Sequence, residues 1–168
     1  MKTRNGYVSN SSTSSFVVIG DECIKNPLQL SERTLRNELD RCVMAGMLCG
    51  WRDDSEMWFG RQEEEYHLFG AKWNWLLMQA CYDAMDNANA TWQKILDAFA
   101  KHLGYDGIDW DNVANTILNF DAFIDHQSID PKGTFDVVLK YGLGEFLADE
   151  RCCIHNGDDE TSILEDGE

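Results

Sequence analysis

Three polar clusters in this chain carry side chains that can do chemistry. The first is Ser9-Asn10-Ser11-Ser12-Thr13-Ser14-Ser15, directly before the apolar run Phe16–Ile19. The second is Asp125-His126-Gln127-Ser128, and the third is His155-Asn156-Gly157-Asp158-Asp159. A hydroxyl-rich loop at the mouth of a strand can hold phosphate or a partner's polar groups, but this one lacks the Gly-Lys pair of a P-loop. Two histidines and three aspartates brought to one point can hold a divalent cation or run acid–base chemistry. Candidate catalytic residues are therefore Asp125, His126, His155 and Asp158. Candidate ligand-binding residues are Ser11, Ser12, Ser14, Gln127, Ser128 and Asn156. Each cluster also has a plainer reading. Asp125–Ser128 suits a turn closed by its own side chains, Asn156-Gly157 is an ordinary turn signal, and a serine run is usually solvated.

Other groups point less sharply. Cys152-Cys153-x-His155 is compact but lacks ordinary zinc spacing, and the chain contains no Cys-x-x-Cys pair. The sequence therefore assigns no metal and no cofactor. Asp106-Gly107-Ile108-Asp109-Trp110-Asp111 lacks the order of a calcium loop and reads as a turn with a helix cap. Trp51, Trp58, Phe59 and Tyr66 are laced with Glu63-Glu64-Glu65, which suits either an exposed binding surface or a satellite core. On the first view Trp58, Glu63, Glu64 and Glu65 are candidate partner-binding residues.

Short strands and amphipathic helices must position these groups. Phe16–Ile19, Phe120–Ile124 and Arg151–His155 have strand character, with a further strand suggested at Tyr66–Phe69. A helix is expected from Thr34 to Cys49, capped by Ser31 and ended by Gly50. Helical spacing recurs over 73–86, over 92–103 with Thr91 as cap and Gly104 as stop, and over 111–119 with Asp109 or Asp111 as cap. Pro131-Lys132-Gly133 reads as a turn, and Gly142 and Gly144 weaken a helix over 134–148. The expected fold is α/β or α+β, a small sheet of about three short strands with four or five helices. One domain over residues 1–161 is expected, followed by an acidic tail at 162–168. Strands this short need partners. If all three pair in one sheet, the polar clusters converge only when the first strand runs antiparallel to the others.

The 168 residues suffice for one domain with a core, and 43% hydrophobic content is ordinary for a globular chain. No apolar run reaches membrane length, and no basic-then-apolar leader opens the sequence. A cytoplasmic setting with reduced cysteines is expected. The formal net charge is −16, and it is uneven. Residues 1–41 carry six Lys or Arg and five Asp or Glu, whereas residues 42–168 carry eight and twenty-five, a net of −17. That field repels a nucleic-acid backbone, so direct DNA or RNA binding is disfavoured and basic proteins are favoured partners.

The opening Arg4-Asn5-Gly6-Tyr7-Val8-Ser9-Asn10, the serine run and Phe16 resemble the start of a group of small uncharacterised proteins of tailed phages and bacteria. Asp125-His126-Gln127-Ser128 and Gly157-Asp158-Asp159 are similar to further motifs of that group. Tyr7 stands where Phe is usual, Thr13 interrupts the serines, and Asp159 stands where Asn is expected. The resemblance implies a phage or mobile-element setting and a common pocket built from the three clusters, and it carries no activity.

Two functional readings follow. The first is a non-enzymatic phage accessory protein in the cytoplasm of an infected bacterial cell. It would bind a host protein with a basic surface, an anti-defence inhibitor or nucleic-acid mimic acting through charge. The alternative is a small metal-assisted hydrolase or nucleotide-binding protein that uses the clustered Asp, His and Ser residues. A virion or assembly role has no positive feature in the sequence, and the oligomeric state is left open.

Overall fold

One helix is apolar almost all round, and the fold is built on it. Ala71 through Ala80 are buried without interruption, a pattern that suits a helix enclosed on every side. In the computed structural model, which describes residues 14–42, 58–59, 64–119, 123–124 and 131–157, this helix is α3. The chain order is β1 (Ser14–Val18), α1 (Asp21–Lys25), α2 (Glu32–Cys42), β2 (Trp58–Phe59), β3 (Glu64–Tyr66), α3 (Phe69–Asp86), α4 (Thr91–His102), α5 (Trp110–Asn119), β4 (Phe123–Ile124), α6 (Pro131–Tyr141), α7 (Leu143–Ala148) and β5 (Cys153–Gly157). Helices α2, α4, α5, α6 and α7 all pack on α3. The class is α+β as expected, with five longer helices and two short ones, α1 and α7.

Local signals explain most boundaries. Ser31 Oγ accepts the Thr34 N–H at 3.2 Å and starts α2. Asp109 Oδ1 accepts the Asn112 N–H at 3.0 Å and starts α5. At the end of α4, Gly104 takes φ +92°. The Tyr105 N–H then reaches the Ala100 carbonyl at 3.1 Å and the Gly104 N–H reaches Lys101 at 3.0 Å, the closure that a left-handed residue permits. Gly142, at φ +120°, separates α6 from α7.

Some expectations are corrected. Thr91 does not cap α4: the cap position falls on Ala90, at φ 45°, with no side-chain bond. Pro131 opens α6 rather than a turn, since its fixed φ suits a first helical position. The strand near Tyr66 covers Glu64–Tyr66, and Phe69 begins α3. A short apolar run does not distinguish strand from buried helix. Residues 43–50, and with them the expected end of α2, lie outside the described residues.

The three-stranded sheet has the order β1-β5-β3, with β5 antiparallel to both neighbours. β1 pairs antiparallel with β5, as convergence of their flanking clusters requires. β4 does not join them. It pairs in parallel with β2 as a separate two-stranded sheet, because β1 and β3 already occupy the two edges of β5.

A buried cation sets where β5 begins. Lys72, fully buried in α3, donates from Nζ to the carbonyls of Phe146 at 2.7 Å, Asp149 at 2.8 Å and Cys152 at 3.2 Å. It thereby satisfies carbonyls left over at the end of α7 and in the turn after it. Burial lowers its pKa to about 8. Asp149 braces the same turn: its carboxylate accepts from Arg151 Nε and NH2 at 2.9 and 2.7 Å and from Tyr141 OH at 2.9 Å.

Candidate functional site

Strand alternation divides β5 between two environments. Ile154 is fully buried, while Cys153 and His155 project to the other face. β3 matches it, with Tyr66 opposite Ile154 and Glu65 opposite His155. One further step in the same register sets His67 opposite Cys153. Two cross-strand pairs therefore form a square of one carboxylate, two imidazoles and one thiol.

Three of the donor atoms converge, and His155 meets one of the three. Glu65 Oε1 lies 3.3 Å from His155 Nδ1, and Glu65 Oε2 lies 3.1 Å from His67 Nε2. Ligand atoms of Glu65, His67 and Cys153 all lie within 4.8 Å of one another. The side chains of Glu65, His67 and His155 are 47%, 40% and 22% exposed, and Cys153 forms the buried floor. His67 Nδ1 lies 2.7 Å from the Glu150 carbonyl. A carbonyl only accepts, so the proton is on Nδ1 and Nε2 is aimed at Glu65. Burial raises the Glu65 pKa, but hydrogen bonds and charge from His67 and His155 outweigh it and bring the carboxyl below its usual range.

A second group of donors, Cys23, Asp149 and Cys152, is equally close and wholly buried. Burial, followed by the Cys23 hydrogen bond, raises the Cys152 thiol to about 12. The carboxylate of Asp149 is already occupied by Arg151 and Tyr141. This group braces the core.

A pocket of about 290 Å³ between α2 and α4 is lined by Glu32, Arg33, Arg36, His102, Leu103 and Gly104. None of the candidate catalytic, ligand-binding or partner-binding residues lines it. Arg36 stacks over Tyr105 with 5.7 Å to the ring centre, and His102 meets Glu32 at 2.8 Å. The Arg36 guanidinium lies where a Cβ on Gly104 would stand, beside the carbonyl end of α4, which favours a cation.

Of the sequence-predicted residues, Ser14 stands opposite Gly157, and Asn156 stands opposite both Ser15 and Glu64. The serine segment therefore enters β1 beside the exit of β5, so two of the three clusters share one end of the sheet. Ser11, Ser12, Glu63, Asp125, His126, Gln127, Ser128 and Asp158 lie outside the described residues. Trp58 lies in β2, opposite Phe123. The strand leading to Asp125 belongs to that separate pair. The Asp106–Asp111 stretch is a turn and cap: Asp97 Oδ1 accepts the Ile108 N–H at 2.8 Å, and Asp109 starts α5.

Sequence reasoning missed His67 and Cys153 as members of one site with Glu65 and His155. The available signal was a pair of alternating dipeptides, Glu65-x-His67 and Cys153-x-His155, each with the period that puts both residues on one face of a strand. Compared with protein-family models, with curated proteins and with solved structures, the chain matches none.

Proposed function

We propose that this protein works by binding, engaging a basic protein of the host cell through its carboxylate-rich surface, as a phage accessory protein would. The observation that carries this reading is the excess of exposed carboxylates over cations, several of which are paired or buried. Arg41 is held by Glu38 at 2.8 Å, Lys101 by Asp97 at 2.6 Å and Arg151 by Asp149 at 2.7 Å, while Lys72 is buried among carbonyls. Asp86, Asp106, Asp109, Asp111, Asp136 and Glu150 are exposed. Lys25, Arg33, Arg36, Lys94 and Lys140 are exposed as well, but with a net charge of −16 the acids outnumber the cations and set the sign of the outward field. Such a field speeds encounter with a basic surface and repels nucleic acid.

Affinity capture from infected cells at low and at high salt tests the reading. The expected result is a basic protein whose capture falls steeply with salt and falls again in the Asp106→Asn, Asp111→Asn double variant. Asp109 is left in place because it caps α5. Salt-independent capture, or tight salt-sensitive binding of duplex DNA in a gel shift, overturns it. The alternative reading, a small metal-assisted hydrolase or nucleotide-binding protein, draws on the β3–β5 face for its metal.

A further inference from the structure

We propose that Glu65, His67, Cys153 and His155 form a binding site for a divalent transition-metal ion, zinc by the chemistry of the donors, on the outer face of β3 and β5. The site is independent of partner binding through the acidic surface.

The backbone supplies the first argument. The Glu65↔His155 pairing is fixed by register, and the flanking residues fall into line by strand alternation. Glu65, Cys153 and His155 are thus set by two hydrogen-bonded strands, His67 follows directly after β3, and β5 is pinned at its start by Lys72 and Asp149. Sites on such elements hold geometry better than sites on loops.

Distances supply the second. Zinc takes nitrogen and oxygen at about 2.0–2.2 Å and sulfur at about 2.3 Å in a tetrahedron, so neighbouring donors stand roughly 3.3–3.8 Å apart. The Glu65 oxygens already lie 3.1 and 3.3 Å from the two imidazole nitrogens. The Cys153 sulfur is within 4.8 Å of the Glu65 and His67 donors. Glu65, His67 and Cys153 are close enough to ligate one ion with small side-chain movements, and His155 joins them by exchanging its hydrogen bond to Glu65 for coordination.

The third argument lies behind the ligands. A metal-binding histidine usually donates its other ring N–H to a carbonyl or carboxylate, which fixes its tautomer and orientation. His67 does this to the Glu150 carbonyl at 2.7 Å. The nitrogen left facing the square is therefore one with a free lone pair when the ring is neutral.

Donor type selects the ion. One thiol, two imidazoles and one carboxylate suit zinc or a neighbouring first-row metal and do not suit calcium or magnesium, which take oxygen cages. On binding, the Cys153 S–H bond breaks and the sulfur lone pair goes to the metal. The ring protons that bond His67 Nε2 and His155 Nδ1 to Glu65 also leave those nitrogens, whose lone pairs go to the metal, and all these protons are released to solvent. No electrons change hands. The Cys23–Asp149–Cys152 group serves as the internal comparison: it has no imidazole and it faces no solvent.

The test uses the full chain, stripped with a chelator and titrated with Zn²⁺ and with Co²⁺. The expected result is one equivalent of either metal, with a cobalt spectrum showing tetrahedral d–d bands and a near-ultraviolet thiolate-to-cobalt band. Cys153→Ser should abolish the thiolate band. Glu65→Gln, at an exposed position that folding tolerates, should weaken zinc affinity at least about tenfold, as should His67→Gln. Cys152→Ser and Cys81→Ser should leave spectrum and stoichiometry unchanged. The proposal is overturned if saturation needs millimolar metal, or if the thiolate band survives Cys153→Ser. It is equally overturned if the band vanishes in Cys152→Ser while that variant keeps its native circular dichroism.

Discussion

Two groups of potential metal donors meet the chain at adjacent residues, one through Cys152 and the other through Cys153. Cys23, Asp149 and Cys152 are packed as closely as Glu65, His67 and Cys153. The first group is closed: Asp149 is filled by Arg151 and Tyr141, and both thiols are fully buried. The second is open, with a carboxylate shared by two exposed imidazoles. Proximity of donors therefore does not define a site. What separates the two is whether solvent can deliver a ligand, and whether the carboxylate is held by a guanidinium or by imidazoles that can themselves ligate.

The comparison breaks most readily at Lys72, which holds the closed group. Lys72→Met should destabilise the fold by about 3 kcal/mol or more, because buried carbonyls lose their donor and gain none. Urea unfolding measures it. A loss under about 1 kcal/mol would mean that the turn holds without its ammonium.

Acid tests the same group. Burial raises the Asp149 pKa, but the Arg151 and Tyr141 bonds overcome that and hold it at about 2. Its folded value lies below its unfolded value of about 3.9, so the carboxylate contributes stability above pH ~4 and loses it as pH falls toward 2. The size is on the order of 2 kcal/mol. Asp149→Asn should be less stable at neutral pH and should flatten that part of the acid limb of a stability–pH curve. An unchanged acid limb would sink the assignment.

Metal sharpens the contrast. At a free zinc concentration a hundredfold above its dissociation constant, the wild-type chain should gain about 2.7 kcal/mol of stability. Cys152→Ser should gain the same increment from its own lower starting point, and Cys153→Ser should gain far less. Thermal melts with and without zinc read this directly. The smallest effect is expected at the open group without metal. Glu65→Gln should change stability by less than about 0.5 kcal/mol, since exposed pairs are worth little. A larger change would give Glu65 the bracing role that Asp149 has.

Much of the helical framework was legible in the sequence. The apolar spacing of Trp92, Ile95, Leu96, Phe99 and Leu103 pointed to α4, Gly104 marked its stop, and Ser31 and Asp109 marked two starts. That β1 and β5 pair followed from the need of short strands for partners, whereas their antiparallel direction was only a condition for the flanking clusters to converge. The sheet's third member did not. Glu64–Tyr66 is a charged three-residue stretch with no alternating apolar signature, and its pairing with β5 depends on tertiary position alone. For the same reason the candidate site was only half visible. His155 and Glu65 were noticed for different reasons, and nothing local links residue 65 to residue 155. Lys72 was equally hidden, because a lysine within an apolar run reads as an exposed interruption until the carbonyls that surround it are known.

The placement of β5 at the centre of its sheet bears on how the chain reaches its native state. Both neighbours precede it, and β1 pairs with it across nearly the whole described chain. During synthesis β1 and β3 emerge with no partner for their edges and must wait for residues 153–157. Contacts this distant in sequence slow folding and lengthen the exposure of unpaired strands. The sheet is therefore a late event on the ribosome, and the helices around α3 must form a scaffold that holds without it. A nascent chain arrested before Cys153 would be protease-resistant over α3 and α4 and sensitive at Ser14–Val18.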